Sequence, residues 1–165
     1  MDIYKKVEPM WKGELVSIFI SSTSGEELLE KSAVKAVPGR GIEGDRFFLH
    51  TELDVEKHDP SKEVTLIEIE SLEALKRDYS IDIGIGDSRR NLVTRGVPLN
   101  HLVDQEFCVG EVVLRGIRLC EPCAHLAKMT QKNVRPALVH RGGLRAQIIS
   151  GGPMKVGDLI EIHTY

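Results

Sequence analysis

Apolar residues in this chain alternate with polar ones or cluster in short blocks, and helical spacing is sustained in one segment only. Glu14-Leu-Val-Ser-Ile-Phe-Ile-Ser21 reads as a first strand, closed by the turn-forming Ser21-Ser-Thr-Ser-Gly25. Glu26 to Lys31 fits a short helix capped by Ser24. Ala33–Val37 is strand-like and ends at Pro38-Gly39, whereas the polar, acidic residues 49–63 predict a long surface loop. Glu63–Ile67 is a brief strand that runs into a helix, in which Ile69, Leu72, Leu75 and Tyr79 recur every three or four residues. Leu92–Gly96, Phe107–Val109, Val112–Leu119, Leu144–Ile149 and Leu159–Ile162 continue the series of strands. Gly110 and Gly151-Gly152-Pro153 mark turns, and Pro122–Met129 and Pro136–His140 read as short helices.

Many short strands with glycine-rich turns and few inserted helices predict a mainly β (α+β) fold closed into a barrel. Strands do not alternate regularly with long crossover helices, which argues against a doubly wound α/β sheet. With 165 residues, no internal repeat and no linker, a single domain is expected over 1–165, with a core of about 14–162.

Composition narrows the class. Hydrophobic content of 41% and charged content of 28% suit a globular protein. No apolar run approaches the roughly 20 residues of a membrane span, so no membrane partner is expected. The N-terminus lacks the apolar core of a secretory signal, and three cysteines make no disulfide framework, so a reducing cytoplasm is expected. The net charge of −3 conceals an asymmetry: 1–87 carry 11 Lys and Arg against 19 Asp and Glu, and 88–165 carry 11 against 6. Eight of eleven arginines lie in the second part, and arginine's fork suits phosphate and carboxylate oxygens. Aromatic content of 5%, with no aromatics interleaved among basic residues, argues against nucleic acid and for a small anionic ligand.

Four clusters carry candidate chemistry. In Cys120-Glu-Pro-Cys123 a strand leads into two thiols, and a helix start after it would favour thiolate. Zinc would need two further ligands; His125 is too close to serve beside both cysteines, and Cys108 stands alone in a strand. A redox pair would suit a thioredoxin-like fold, whose βαβ context is missing. Two inert, buried cysteines are the plain alternative to a working thiolate at Cys123. Arg89-Arg90-Asn91, with Thr94 and Arg95, could cradle a phosphate or carboxylate from the loop between a helix and a strand. Gly41-Ile-Glu-Gly-Asp-Arg46 allows close backbone approach, either with Asp45 and Arg46 contacting a ligand or with the two in a structural ion pair. His140-Arg-Gly-Gly-Leu-Arg145 sets two arginines and a histidine around a glycine pair that serves at least to turn the chain. Walker and dinucleotide fingerprints are absent.

In order along the chain, Gly-Ile-Glu-Gly-Asp-Arg46-Phe, Val-Thr-Leu-Ile-Glu68, Arg89-Arg-Asn91-Leu-Val-Thr-Arg-Gly96, Leu-Cys-Glu-Pro-Cys123-Ala-His-Leu and Gly-Gly-Leu-Arg-Ala146 resemble the MOSC family, the molybdenum-cofactor sulfurase C-terminal domain. The resemblance implies a barrel-like fold with a functional cysteine at Cys123, the thiolate that ligates molybdenum in members holding molybdenum cofactor (molybdopterin). It implies that Arg89 and Asn91, with Asp45 and Arg46, contact the ligand; Arg90 and Thr94 join them as candidates. Catalysis would be reduction of N-hydroxylated or related N–O small-molecule substrates with an electron-donor protein. In sulfurase-linked members the cysteine carries sulfur as a persulfide, with a cysteine desulfurase as partner. The chain has no pyridoxal-phosphate domain of its own, so that cofactor is not expected on it. Cys120 is placed for exchange with Cys123.

Overall fold

The computed structural model describes residues 9–23, 28–53, 58–122 and 134–164. The strands are β1 (Gly13–Ile20), β2 (Leu29–Lys31), β3 (Ala33–Val37), β4 (Gly41–Ile42), β5 (Val64–Glu68), β6 (Leu92–Arg95), β7 (Glu106–Val109), β8 (Val112–Leu119), β9 (Leu144–Ser150), β10 (Gly152–Lys155) and β11 (Leu159–Ile162). Among the described residues three α-helices accompany them: α1 (Arg46–Leu53), α2 (Ile69–Tyr79) and α3 (Val134–Ala137). Seven strands hydrogen-bond in the cyclic order β1-β6-β5-β9-β8-β7-β11, and the β11–β1 pairing closes the ring. Closure leaves no free edge in the ring. β2 extends the sheet from β1, and β10-β3-β4 form a second sheet.

Within the ring β5 and β6 alone are parallel, and α2 with the following loop makes the crossover that a parallel pair requires. This wall is covered on both sides. Ile18, Leu66 and Leu92 face the barrel core with Phe107, Leu114 and Ile160, while Phe19, Ile67 and Val93 pack outward under Leu72, Leu75, Val134 and Leu138. Two covered faces explain why Ile18-Phe19-Ile20, Leu66-Ile67 and Leu92-Val93 are unbroken apolar blocks rather than alternating ones. The small sheet adds Ala36, Ile42 and Met154 to the barrel core.

Several local expectations are corrected. Residues 49–63 are not one loop: α1 extends to Leu53, and a 3-10 turn occupies Pro60–Lys62, capped by Asp59. Leu29–Lys31 is a strand on β1, not the end of a helix; the proposed cap Ser24 lies outside the described residues. Pro153, expected in a turn, sits in β10, where an edge position tolerates the missing N–H. Tyr79 is 56% exposed, so the buried face of α2 is Ser71, Leu72, Ala74 and Leu75. The helix expected over Pro122–Met129 lies largely outside the described residues.

Glu63 binds the small sheet to the barrel. Fully buried, its Oε1 accepts from Gly39 N (3.2 Å) and Ile148 N (3.3 Å), and His58 Nε2 lies 3.2 Å from its Oε2. Burial pushes this carboxyl up from its ordinary 4.5, against the opposing pull of the Ile148 N–H and the His58 charge. The folded protein therefore holds the proton more tightly than the unfolded chain. Its contribution to stability is full below the ordinary value and declines as pH rises through the raised one. In Glu63→Gln, urea midpoints measured from about pH 4 to 7 should fall less steeply than in the wild type. An unchanged slope would refute the assignment.

Candidate functional site

A cavity of about 360 Å³ lies against the outer face of β5 and β9. Several segments distant in sequence line it. The turn before α1 supplies Asp45, the first residue of α1 is Arg46, and the loop before β6 supplies Arg89, Arg90 and Asn91. The 3-10 turn supplies Lys62, β9 supplies Arg145, and Cys120 follows directly after β8. Strand alternation sends Leu144 and Ala146 into the core and Arg145 outward beside its register partner Thr65.

Asn91 and Asp45 are buried and hold the walls together. Asn91 Oδ1 accepts from Thr65 N and Thr65 Oγ1, both at 3.1 Å, and its Nδ2 donates to Phe19 O at 3.1 Å. Asp45 Oδ1 accepts from Ser21 N at 3.0 Å. Burial pushes the Asp45 carboxyl up, opposed by that N–H and by the Arg46 charge. Arg46 acts on it without forming a contact ion pair among the described residues, so the structural Asp45–Arg46 pair is not made.

The two neighbouring arginines behave differently. Arg90 donates from Nε to Gly142 O (2.9 Å), from Nη1 to Ser88 O (3.2 Å) and from Nη2 to Cys120 O (3.3 Å). Its guanidinium thus clamps three backbone carbonyls. Arg89 has φ of 60°, and its buried Nη2 has no hydrogen-bond partner among the described residues. Burial and the nearby Arg46 charge both lower its pKa, which marks a cation held where an anion is wanted. Thr94 does not line the cavity: it is fully buried, with Oγ1 3.5 Å from Ile67 O, a tie between β6 and β5. Arg95 pairs with Glu73 at 3.0 Å instead.

The start of the cysteine segment is fixed from several sides. Cys120 is 2% exposed, and its N–H donates to Gly143 O at 2.7 Å. Glu121 accepts the His140 backbone N–H at Oε2 (3.0 Å) and lies 3.1 Å from His140 Nδ1 at Oε1. Asn100 Nδ2 donates to His140 O at 2.8 Å. A Cβ at Gly142 would meet the Cys120 carbonyl, and one at Gly143 the Leu66 carbonyl, so the glycine pair is needed for close approach as well as for turning. Cys123 and His125 lie outside the described residues. Cys108 is on β7, with Sγ 3.3 Å from His163 Nδ1; burial, then Glu161 and Glu106, push its thiol up. No group of three or more His, Cys, Asp or Glu among the described residues is arranged to hold a metal ion.

Lys62 and His50 were not legible as lining residues, because each comes from a segment with no ligand-binding signature of its own; Phe47 and Thr65 fall within family motifs, but nothing local marks them as lining a cavity. Arg145 lay in a noted motif, but its outward direction needed the strand register.

A closed, mainly antiparallel barrel with a cationic cavity beside a cysteine-bearing segment defines the class of protein. Residues 53–161 match the MOSC domain, and the chain belongs to that family, which is associated with molybdenum-cofactor binding. Its structure is similar to the crystal structure of YuaD from Bacillus subtilis (TM-score 0.76, 16% identity, 94% of this chain and 100% of that one). It is also similar to YiiM from Geobacillus stearothermophilus (TM-score 0.70, 12% identity, 92% and 75% covered). YiiM from Escherichia coli gives 0.65, 15%, 95% and 71%. At these identities the likeness concerns the fold. No curated protein matches the sequence. No helix among the described residues is long and apolar enough to cross a membrane.

Proposed function

We propose that this chain holds molybdenum cofactor in the cationic cavity, with Cys123 as the thiolate that meets molybdenum. The observation that carries the reading is the buried Arg89 nitrogen without an acceptor among the described residues, in a cavity that Arg46, Lys62 and Arg145 also line. An unsatisfied buried donor is costly, and a phosphate oxygen removes that cost. The donor set fits the group: arginines suit its pterin phosphate, and a soft thiolate suits molybdenum. When bound, the cofactor supplies a redox-active metal.

The chain's own residues bind and position. Arg89 and Arg46 would hold the phosphate, while Asn91 and Asp45 keep their loops together. Arg90 and Gly143 fix Cys120, from which the segment bearing Cys123 departs. The reaction on this reading is reduction of N-hydroxylated or related N–O small molecules, with electrons from a separate donor protein. After expression in a cofactor-competent host, the purified protein should contain molybdenum and pterin, and Cys123→Ser should lose the metal. Absence of both from the wild type would end the proposal; full metal retention in Cys123→Ser would remove that residue from the role.

Cys120 lining the same cavity supports a second reading, in which Cys123 accepts sulfane sulfur from a cysteine desulfurase and passes it to a partner. A reductant-sensitive sulfur adduct on Cys123 in intact-mass spectra, without bound molybdenum, is the outcome that would favour it.

A further inference from the structure

A second cavity, of about 340 Å³, lies where residues 9–11 lead into β1, beside the end of β11. It shares no lining residue with the cationic cavity. Pro9 and Trp11 line it, whereas Met10 between them is 94% exposed, so the entering chain turns alternate residues toward it. Pro98, Leu102 and Ile162 complete the apolar part of the wall. Trp11 and Ile162 pack against the barrel core, and Leu102 belongs to it. The backbone beneath is fixed. Gly116 N donates to Gln105 O (3.0 Å), Asp104 N donates to Gly116 O (2.9 Å), and a Cβ at Gly116 would meet the Leu102 carbonyl. His101 and Gln105 supply the polar groups, and neither side chain has a hydrogen-bond partner or ion pair among the described residues. Lys, Arg, Asp and Glu are absent from the described lining.

We propose that this cavity is a second binding site, for an uncharged planar aromatic small molecule that carries a carboxamide or a similar donor–acceptor edge. Its volume lies within the range of ligand pockets, roughly 300–1,000 Å³. The Trp11 indole and the rings of Pro9 and Pro98 offer flat apolar faces, and an aromatic ring gains more beside an indole than a saturated ring of the same size does. The Gln105 amide both donates and accepts, as does a neutral imidazole at His101, so a ligand edge with one donor and one acceptor can satisfy either. An ionic ligand would lose hydration here and gain no counter-ion. The site is independent of the cofactor reading, because it uses none of the residues on which that reading rests.

Trp11 is the only tryptophan of the chain, so the indole emission of the full-length protein reports on this cavity. The probes are benzamide and cyclohexanecarboxamide, which share the amide and differ in the ring. Benzamide should change Trp11 emission saturably and bind about threefold to tenfold tighter than cyclohexanecarboxamide, the range expected of an aromatic pair. Gln105→Leu should weaken benzamide about threefold to tenfold, the net effect of one hydrogen bond, and should leave Tm unchanged because the replaced side chain is exposed. Saturating inorganic phosphate should not alter the benzamide affinity of the wild type. A response to benzamide that does not saturate, equal affinity for the two amides, or full affinity in Gln105→Leu would overturn the site. Competition by phosphate would move the probe to the cationic cavity and overturn it as well. Molybdenum content is read separately: wild-type protein without molybdenum that still binds benzamide as expected would end the cofactor reading and leave this site standing.

Discussion

Gly143→Ala should lose about 3 kcal/mol or more of stability, the scale expected when backbone strain and a steric clash coincide at one buried position. Gly143 has φ of 110°, and a Cβ there would run into the Leu66 carbonyl of β5. Neither feature can relax cheaply. The clash is with backbone, and Gly143 O is the acceptor for Cys120 N, so a shift of the loop carries the cysteine segment with it. Gly157 provides the control: its φ is 95°, but nothing lies within 4 Å of a Cβ built on it. Gly157→Ala should therefore show only the conformational cost, about 1 kcal/mol. Urea midpoints of the two variants measure the difference. Equal losses would show that the approach to Leu66 is not what requires glycine.

The second large effect separates two adjacent arginines. Arg89→Met should weaken binding of inorganic phosphate by about tenfold to a hundredfold while leaving the ligand-free protein as stable as the wild type or slightly more so. The physical reason is that the replaced guanidinium is partly buried, repelled by Arg46 and short of an acceptor. Arg90→Met should respond in the opposite way, with a stability loss of about 2 kcal/mol from three carbonyls that lose their donor. Phosphate titration calorimetry and urea unfolding on both variants give the comparison. If Arg89→Met is the less stable and Arg90→Met keeps its fold but not its phosphate, the assignments of the two residues are reversed.

These two arginines also show how far the chain could be read without its fold. Arg89-Arg90-Asn91 was recognisable as a cluster suited to an anion, in a loop between a helix and a strand. Which member faces the cavity was not recognisable, since Arg90 is engaged by Gly142 and Cys120, 52 and 30 residues away. Thr94 was a reasonable companion by proximity alone. Its place in β6 turns it to the Ile67 carbonyl, because β6 pairs with β5 in parallel. Asn91 was expected near a ligand; it does line the cavity, but its side chain is spent on Thr65 and Phe19.

Strands were legible wherever one face or both had to be apolar. β3, β8 and β11 match the expected bounds, and α2 begins where its spacing begins. The failures share a cause: β2 has no buried residue, β10 holds a proline at an edge, and α1 runs from Phe47-Phe-Leu49 into the polar His50-Thr-Glu52, so the local pattern carries little of the tertiary signal.

The sequence by itself determined the mainly β class, the family motifs in their order and the residue types available for an anion. It also marked the segment in which the working thiol is sought. Tertiary structure alone decided ring closure through β11 and β1, the cavity assembled from segments distant in sequence, and the division of labour between Arg89 and Arg90. Apolar periodicity is a local property and is written along the chain. The partners of a buried polar group come from distant segments, and the fold must bring them together before that group's role is settled.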